Sequence, residues 1–329
     1  MTNKEMRPKF PTLDYEDIEL ILHDENGFQN KSKTSRSLKR LDDEIVKNTR
    51  SKKEIYLRTL KCIKRHFNFD DRFDKYFEMA TSGSGNEALK IDTIWSSSLL
   101  SLLFFYDAVV VNGGIEIDGI VYTKCYFEFK NPVLQIHPEY KHPSNMDCVL
   151  YSEKENAILF VESKFIEYVR DFRKTKIHDT DNLRSPYGEK EQSTKELATW
   201  FESIKTKFEP HYYYGLKQMI THYSGVMNFC NHVFHPDMKK GIRNEIIASF
   251  NKNTTIGLME VIYDVSQIKE RKYENYYNNY ESVQKSLFAK MKNDFFKIHD
   301  GTTYQKLLLN KKNRVSKTIL DFYSFSNWC

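Results

Sequence analysis

Two carboxylates and one ammonium group lie beside two short apolar stretches in the middle of the chain. Asp147 begins the stretch DCVLY, and Glu162 and Lys164 follow the apolar run AILFV. Carboxylates that lie together repel each other, and a bound cation relieves that repulsion. Because carboxylate oxygens are hard ligands, these residues indicate a site in which Asp147 and Glu162 hold Mg²⁺ or Mn²⁺.

Such a site has the groups needed to hydrolyse a phosphodiester. A bound divalent cation polarises the phosphodiester and lowers the pKa of a coordinated water. The ammonium of Lys164 would orient that water or stabilise the developing negative charge. The sequence therefore predicts metal-dependent phosphodiester hydrolysis.

The segment that contains these residues, MDCVLYSEKENAILFVESKFIEY, has the pattern of a β-hairpin. We predict one strand from Asp147 to Tyr151, a charged turn SEKEN, and a second strand from Ala157 to Phe165. Side chains alternate along a strand, so Glu162 and Lys164 are expected on one face. The antiparallel neighbour can bring Asp147 beside them.

The elements around the hairpin predict an α/β fold. Helical periodicity is present before the core and in three later segments, whereas two other segments are rich in β-branched and aromatic residues. The predicted helices are two between residues 38 and 67, then EALKIDTIWSSSLLSLLFFY, GLKQMITHYSGVMNF and KERKYENYYNNYESVQKSLFAKM; the predicted strands are VYTKCYFEF (Val121 to Phe129) and TTIGLMEVIYDV. The core order of helix, three strands, helix and strand is typical of an α/β sandwich.

Asp147, a gap of fourteen residues and the triplet Glu162–Lys164 resemble the D…(D/E)-x-K signature of the PD-(D/E)xK nuclease superfamily, which includes many restriction endonucleases. Pro143 stands four positions ahead of Asp147, and Met146 takes the usual place of the proline. The string FVESKFIEY, with GSGNE and WSSSLLSLLFF upstream, is similar to a group of uncharacterised bacterial proteins described as predicted restriction endonucleases. These motifs extend from Thr81 to Asp264.

The resemblance implies a restriction-endonuclease-like mixed β-sheet with helices on both faces. It also implies DNA cleavage that depends on Mg²⁺ or Mn²⁺, in a restriction or defence role. We accordingly divide the chain into a basic helical N-terminal segment (1–80), a nuclease core (81–265) and a helical C-terminal segment (266–329). Many enzymes of this type cut two strands as dimers, so a homodimer is a further expectation.

The resemblance also extends the candidate site. Glu87, just after the glycine-rich loop, is our candidate for the acidic residue that the first core helix of the superfamily often supplies; its alternative role is a charge that favours a helix N-terminus. Glu128 is another acid on a suitable strand, although strand alternation could equally direct it to solvent. Gln218 resembles the glutamine of the Q-x-x-x-Y helix motif, although Tyr223 lies five positions on. It is a candidate contact to substrate phosphate, and an ordinary glutamine on a helix surface is the alternative.

Composition and charge limit the class of protein. The chain has 329 residues, of which 40% are hydrophobic, enough for a folded core. No apolar stretch approaches the roughly 20 residues of a membrane-spanning helix, so we expect a soluble cytoplasmic protein without a membrane partner. Its five cysteines include no C-x-x-C pair, which argues against disulfide and iron–sulfur frameworks.

Basic residues are concentrated between Lys31 and Arg65, although the whole chain has a formal charge of only +5. Such a segment suits the phosphate backbone of DNA, and a solvated helix face is the alternative.

Other interpretations of the candidate site also stay open. Glu162 and Lys164 could instead be a solvent-facing ion pair on an edge strand, which would contribute little to stability. A nuclease fold can bind DNA for a partner without cutting it, and Lys164 could instead be a nucleophile beside Glu162. A separate segment contains side chains of the types that bind zinc: His222, Cys230, His232 and His235. Their spacing matches no common zinc finger, and the alternative is that they are ordinary polar residues at the end of a helix.

Overall fold

A computed structural model describes residues 56–57, 60–61, 63–82, 96–132, 143–165, 213–264, 281–282 and 284–323, with the side chains of 213–217 excepted. The chain separates into two units, one made of residues 1–112 and 314–329 and the other of residues 113–313. No helix within the described ranges is both long and apolar enough to cross a membrane.

The described elements follow the predicted order of helix, three strands, helix and strand from α2 to β6, with some short elements added between them. In chain order they are α1 (Arg72–Thr81), α2 (Ser97–Tyr106), a π-helical turn (Asp107–Val111), β1 (Ile115–Ile117), β2 (Ile120–Tyr122), β3 (Lys124–Asn131), β4 (Ser144–Ser152), β5 (Ala157–Lys164), α3 (Tyr213–Cys230), a 3₁₀ helix (Pro236–Lys239), α4 (Asn244–Ser249), β6 (Thr255–Ile262), β7 (Lys297–Ile298), β8 (Thr302–Thr303), α5 (Tyr304–Leu309) and α6 (Lys317–Phe322).

The first unit is helical, and an aromatic cluster around Tyr106 forms part of its core. Aromatic side chains pack well edge to face, and the rings around Tyr106 adopt this arrangement: Phe69, Phe73 and Tyr76. Directly after Tyr106, the fully buried Asp107 accepts hydrogen bonds from the backbone N–H and the hydroxyl of Ser316. These bonds tie the end of α2 to the start of α6.

The second unit contains a six-stranded mixed sheet in the order β3-β4-β5-β6-β7, with β8 also paired to β6. The strands β3, β4 and β5 are antiparallel neighbours, whereas β5, β7 and β8 each run parallel to β6. Every residue of β5 is buried. A strand covered on both faces carries apolar residues at consecutive positions, which explains the run AILFV.

Helices contact both faces of this sheet. On one face, the ring of Phe229 in α3 lies 6.0 Å from that of Phe129 and 5.1 Å from that of Phe160, measured between centroids. On the other face, the hydroxyls of Tyr304 in α5 and Ser163 in β5 are 2.6 Å apart. The predicted α/β class, a mixed sheet flanked by helices, is confirmed.

Gly225 allows α3 to approach the ends of β3 and β4 closely. A Cβ at this position would lie 2.9 Å from Cβ of Asn131 and 3.0 Å from Cβ of Ser144. We expect Gly225→Ala to lower the free energy of unfolding by on the order of 1–2 kcal/mol, because overpacking costs more than the roughly 1 kcal/mol that alanine gains in helix propensity. Chemical denaturation measures this, and a variant as stable as the parent contradicts it.

Several predicted elements differ in detail from the structure. The predicted strand from Val121 to Phe129 is divided between β2, which forms a hairpin with β1, and β3, which joins the large sheet. The first hairpin strand begins at Ser144 rather than at Asp147. In the segment predicted to be a helical C-terminal addition, residues 284–290 are helical, but β7 and β8 follow and pair with β6. Strands of two residues are too short for a periodic pattern.

Candidate active site

The first half of β4 and the end of β5 bring Asp147, Glu162 and Lys164 together. The Nζ of Lys164 donates a hydrogen bond to Oε1 of Glu162, so these two side chains do share a face. The backbone N–H of Ser163, between them, donates to Oδ2 of Asp147 over 2.8 Å. Glu162 is fully buried and Lys164 is 5% exposed. A solvent-facing Glu–Lys pair on an edge strand is therefore ruled out.

Helix α3 adds two polar side chains to this group. Lys164 Nζ donates to Oε1 of Gln218 over 2.7 Å. One helical turn later, Nε2 of His222 lies 2.7 Å from Oε2 of Glu162. The sheet and the helix thus form a continuous buried polar cluster. Gln218, the predicted contact to substrate phosphate, lies in this cluster and accepts a hydrogen bond from Lys164.

Glu162 is held in its ionised form by its neighbours. Burial alone raises the pKa of a carboxyl group, because the charged form loses its hydration. The positive charge of Lys164 and the interaction with His222 outweigh that effect and lower the pKa of Glu162 to about 2. Glu162 therefore carries a negative charge throughout the physiological pH range.

The pKa of Asp147 is shifted in the opposite direction, upward. Its side chain keeps some exposed surface, but desolvation and the nearby charge of Glu162 raise its pKa well above the ordinary value. Lys164 opposes this shift, and the buried Glu128 adds to it. Two neighbouring carboxyl groups thus have pKa values pushed in opposite directions, a pattern found at catalytic sites. A bound cation would therefore favour the ionised form of Asp147 more than that of Glu162, which is already ionised.

Glu128 lies on β3 at the position level with Asp147. The pairs Phe127–Cys148 and Phe129–Met146 flank it, and Glu128 itself has a left-handed backbone with φ of 50°. This conformation is uncommon for residues other than glycine and asparagine, and such strain concentrates at functional sites. Glu128 is 4% exposed, so it does not point freely into solvent. It acts on Asp147 electrostatically.

The carboxylates of Asp147 and Glu162 could take part in an open Mg²⁺ site but do not form a closed protein cage. Oε2 of Glu162 is buried and makes no aligned hydrogen bond. Oδ2 of Asp147 accepts a hydrogen bond from the N–H of Ser163. Across the described residues, no three His, Cys, Asp or Glu side chains are grouped to hold a metal ion by themselves. Mg²⁺ typically uses one or two carboxylates and completes its shell with water and phosphate.

Two other sequence predictions lie wholly or mostly outside the described residues. Glu87 is one of them. The basic segment from Lys31 to Arg65 is described only at 56–57, 60–61 and 63–65, and there Lys64 lies 2.6 Å from carboxylate oxygens of both Asp71 and Asp74. The positive charge of Lys64 is therefore paired with carboxylates of the protein itself.

The cluster includes His222, which the sequence did not assign to it, and a further buried acid lies on the neighbouring strand. His222 occurs four residues after Gln218, a spacing of one helical turn, and this was the available signal. Tyr223, at five residues, instead places its ring 5.4 Å from that of Phe296. Glu260 of β6 pairs in register with Glu162, is fully buried and accepts a hydrogen bond from Gln284.

No family model, curated protein or solved structure matches the chain.

Proposed function

We propose that this protein is a Mg²⁺- or Mn²⁺-dependent deoxyribonuclease of the PD-(D/E)xK type, which hydrolyses phosphodiester bonds of DNA as a restriction or defence endonuclease. The observation that carries the proposal is the convergence of Asp147, Glu162 and Lys164 at one end of the hairpin. The divergent pKa shifts of the two carboxyl groups support it further.

Each side chain has a separate task in this proposal. Asp147 and Glu162 would hold the cation, which when bound polarises the phosphodiester and activates water. Lys164 keeps its ammonium beside Glu162, where it stabilises negative charge that develops on the phosphate. Gln218 accepts a hydrogen bond from Lys164 and so fixes the direction of the ammonium. Burial of the cluster strengthens these electrostatic interactions.

A catalytically inactive DNA-binding module of the same fold is the second candidate. The observation that favours it is that the ammonium of Lys164 already compensates the charge of Glu162, while His222 contacts the second carboxylate oxygen. The raised pKa of Asp147 counts against it, because a site that never binds a cation gains nothing from crowded carboxylates. Lys164 as a nucleophile is disfavoured, since a nucleophilic amine must be deprotonated and Lys164 is hydrogen bonded to an ionised carboxylate.

Metal dependence tests the proposal. Purified protein is incubated with a mixture of single- and double-stranded DNA, first with a chelator and then with Mg²⁺ or Mn²⁺ restored. We expect cleavage only after the metal is restored and unchanged DNA binding throughout. DNA binding without cleavage under every metal condition would establish the inactive module, and cleavage that persists in chelator would contradict a metal-dependent site.

A further inference from the structure

Helix α3 contacts both ends of the Glu162–Lys164 ion pair. Gln218 and His222 are four residues apart, so they project from the same face of the helix. Gln218 lies 2.7 Å from Lys164 Nζ, and His222 lies 2.7 Å from Glu162 Oε2. One face of the helix therefore contacts both the carboxylate and the ammonium.

The imidazole of His222 is held from its other side by β4. The hydroxyl of Ser144 makes a short hydrogen bond with Nδ1 of the ring, while Nε2 faces Glu162. Ser144 and His222 are each 2% exposed, and Glu162 is fully buried. Gly225, less than one turn after His222, lets α3 come this close to Ser144. The ring is thus fixed between two neighbouring strands.

We propose that His222 is a positioning residue for the hydrolysis proposed above, on which this inference rests: held by Ser144, it orients the carboxylate of Glu162 toward the bound cation. The short approach of Nε2 to Oε2 restrains the oxygen. A carboxylate oxygen has two lone pairs, so Oε2 can face the ring with one and a cation with the other. Partners that orient a metal-binding carboxylate are worth about 10–100-fold in metal affinity or activity.

Three substitutions separate positioning from simple packing. His222→Leu keeps the volume but removes both ring nitrogens, and His222→Gln can place an amide N–H near the position of Nε2. Ser144→Ala leaves the imidazole and removes only its support. His232→Gln is the control, because His232 is exposed and lies beyond the end of α3.

Calorimetry of Mg²⁺ or Mn²⁺ binding and single-turnover DNA cleavage provide the readouts. For His222→Leu we expect metal affinity and the cleavage rate to fall by about 10–100-fold, with the DNA concentration at half-maximal rate unchanged. His222→Gln should recover most of the loss, Ser144→Ala should show a smaller loss of the same kind, and His232→Gln should match the parent.

The outcomes also separate this inference from the proposed function. If the parent protein neither binds metal nor cleaves DNA, the proposed function is wrong, and so is this inference. An active parent whose metal affinity is unchanged in both His222→Leu and Ser144→Ala overturns the role of His222 alone. If His222→Leu does not fold, Ser144→Ala and His222→Gln decide: a selective loss in the first and near-parental behaviour in the second support the role, and any other result overturns it.

Discussion

Lys164→Ala is expected to reduce the single-turnover rate of DNA cleavage by about 10²–10³-fold, the usual effect of removing one group that stabilises transition-state charge. Metal binding should persist or strengthen, because an ammonium does not ligate a cation and its removal eliminates a competing positive charge. DNA binding should change little. Arginine should restore little activity, since a planar guanidinium does not fit where the compact ammonium contacts Glu162 and Gln218.

Lys154→Ala is the matched control for this substitution. Lys154 lies in the turn between β4 and β5, and its side chain is 90% exposed, so its removal should leave cleavage at the parental rate. Lys164→Met keeps most of the buried aliphatic chain and serves as a second variant if the alanine variant unfolds. Cleavage by Lys164→Met close to the parental rate, with the fold intact, would contradict the assignment of Lys164.

Asp147→Asn and Glu162→Gln are both expected to abolish cleavage and weaken metal binding, yet to change stability in opposite directions. Ionised Asp147 costs stability at neutral pH, because its pKa is raised in the folded protein. Asparagine removes this charge and can still accept the hydrogen bond from Ser163. The metal-free Asp147→Asn variant should therefore melt at a higher temperature than the parent.

The Glu162→Gln variant should instead melt at a lower temperature than the parent. The folded-state pKa of Glu162 is lowered to about 2, so its ionised form stabilises the fold above the unfolded-state pKa, and this contribution is lost as the pH falls toward 2. Glutamine leaves the buried ammonium of Lys164 without its carboxylate partner. Removing one partner of a buried ion pair typically costs about 3–5 kcal/mol.

Thermal unfolding in the presence of a chelator, from pH 5 to pH 8, measures both effects. For Asp147 the sign is that of a raised acid pKa: the parent should gain stability as the pH falls, and Asp147→Asn should lose that dependence. Glu153→Gln, in the exposed β4–β5 turn, is the control and should match the parent. If both site variants are destabilised alike, the carboxyl groups do not have the opposed pKa shifts described above.

The core of the candidate site could be predicted from the sequence because its signals are local. The run AILFV marks a strand buried on both faces, and a period of two places Glu162 and Lys164 together. The charged turn fixes an antiparallel neighbour, which brings in Asp147. These contacts involve residues close in the chain and need no knowledge of the remaining fold.

The rest of the cluster depends on packing between distant segments. Contact between His222 and Glu162 requires α3 to lie close to the sheet, and Gly225 is identifiable as the reason only once Ser144 is seen beside it. Glu128 has a left-handed backbone in the middle of β3, which the sequence pattern does not indicate. Likewise, β7 and β8 are recognisable as strands only through their pairing with β6.

Anomalous diffraction from crystals soaked in Mn²⁺ would locate the metal directly. We expect one strong peak at the manganese edge, within coordination distance of a carboxylate oxygen of Asp147 and of Glu162, and no such peak in crystals of the Asp147→Asn variant. A peak at a different set of ligands, or none beside Asp147 and Glu162 in a protein that cleaves DNA with Mn²⁺, would contradict this expectation.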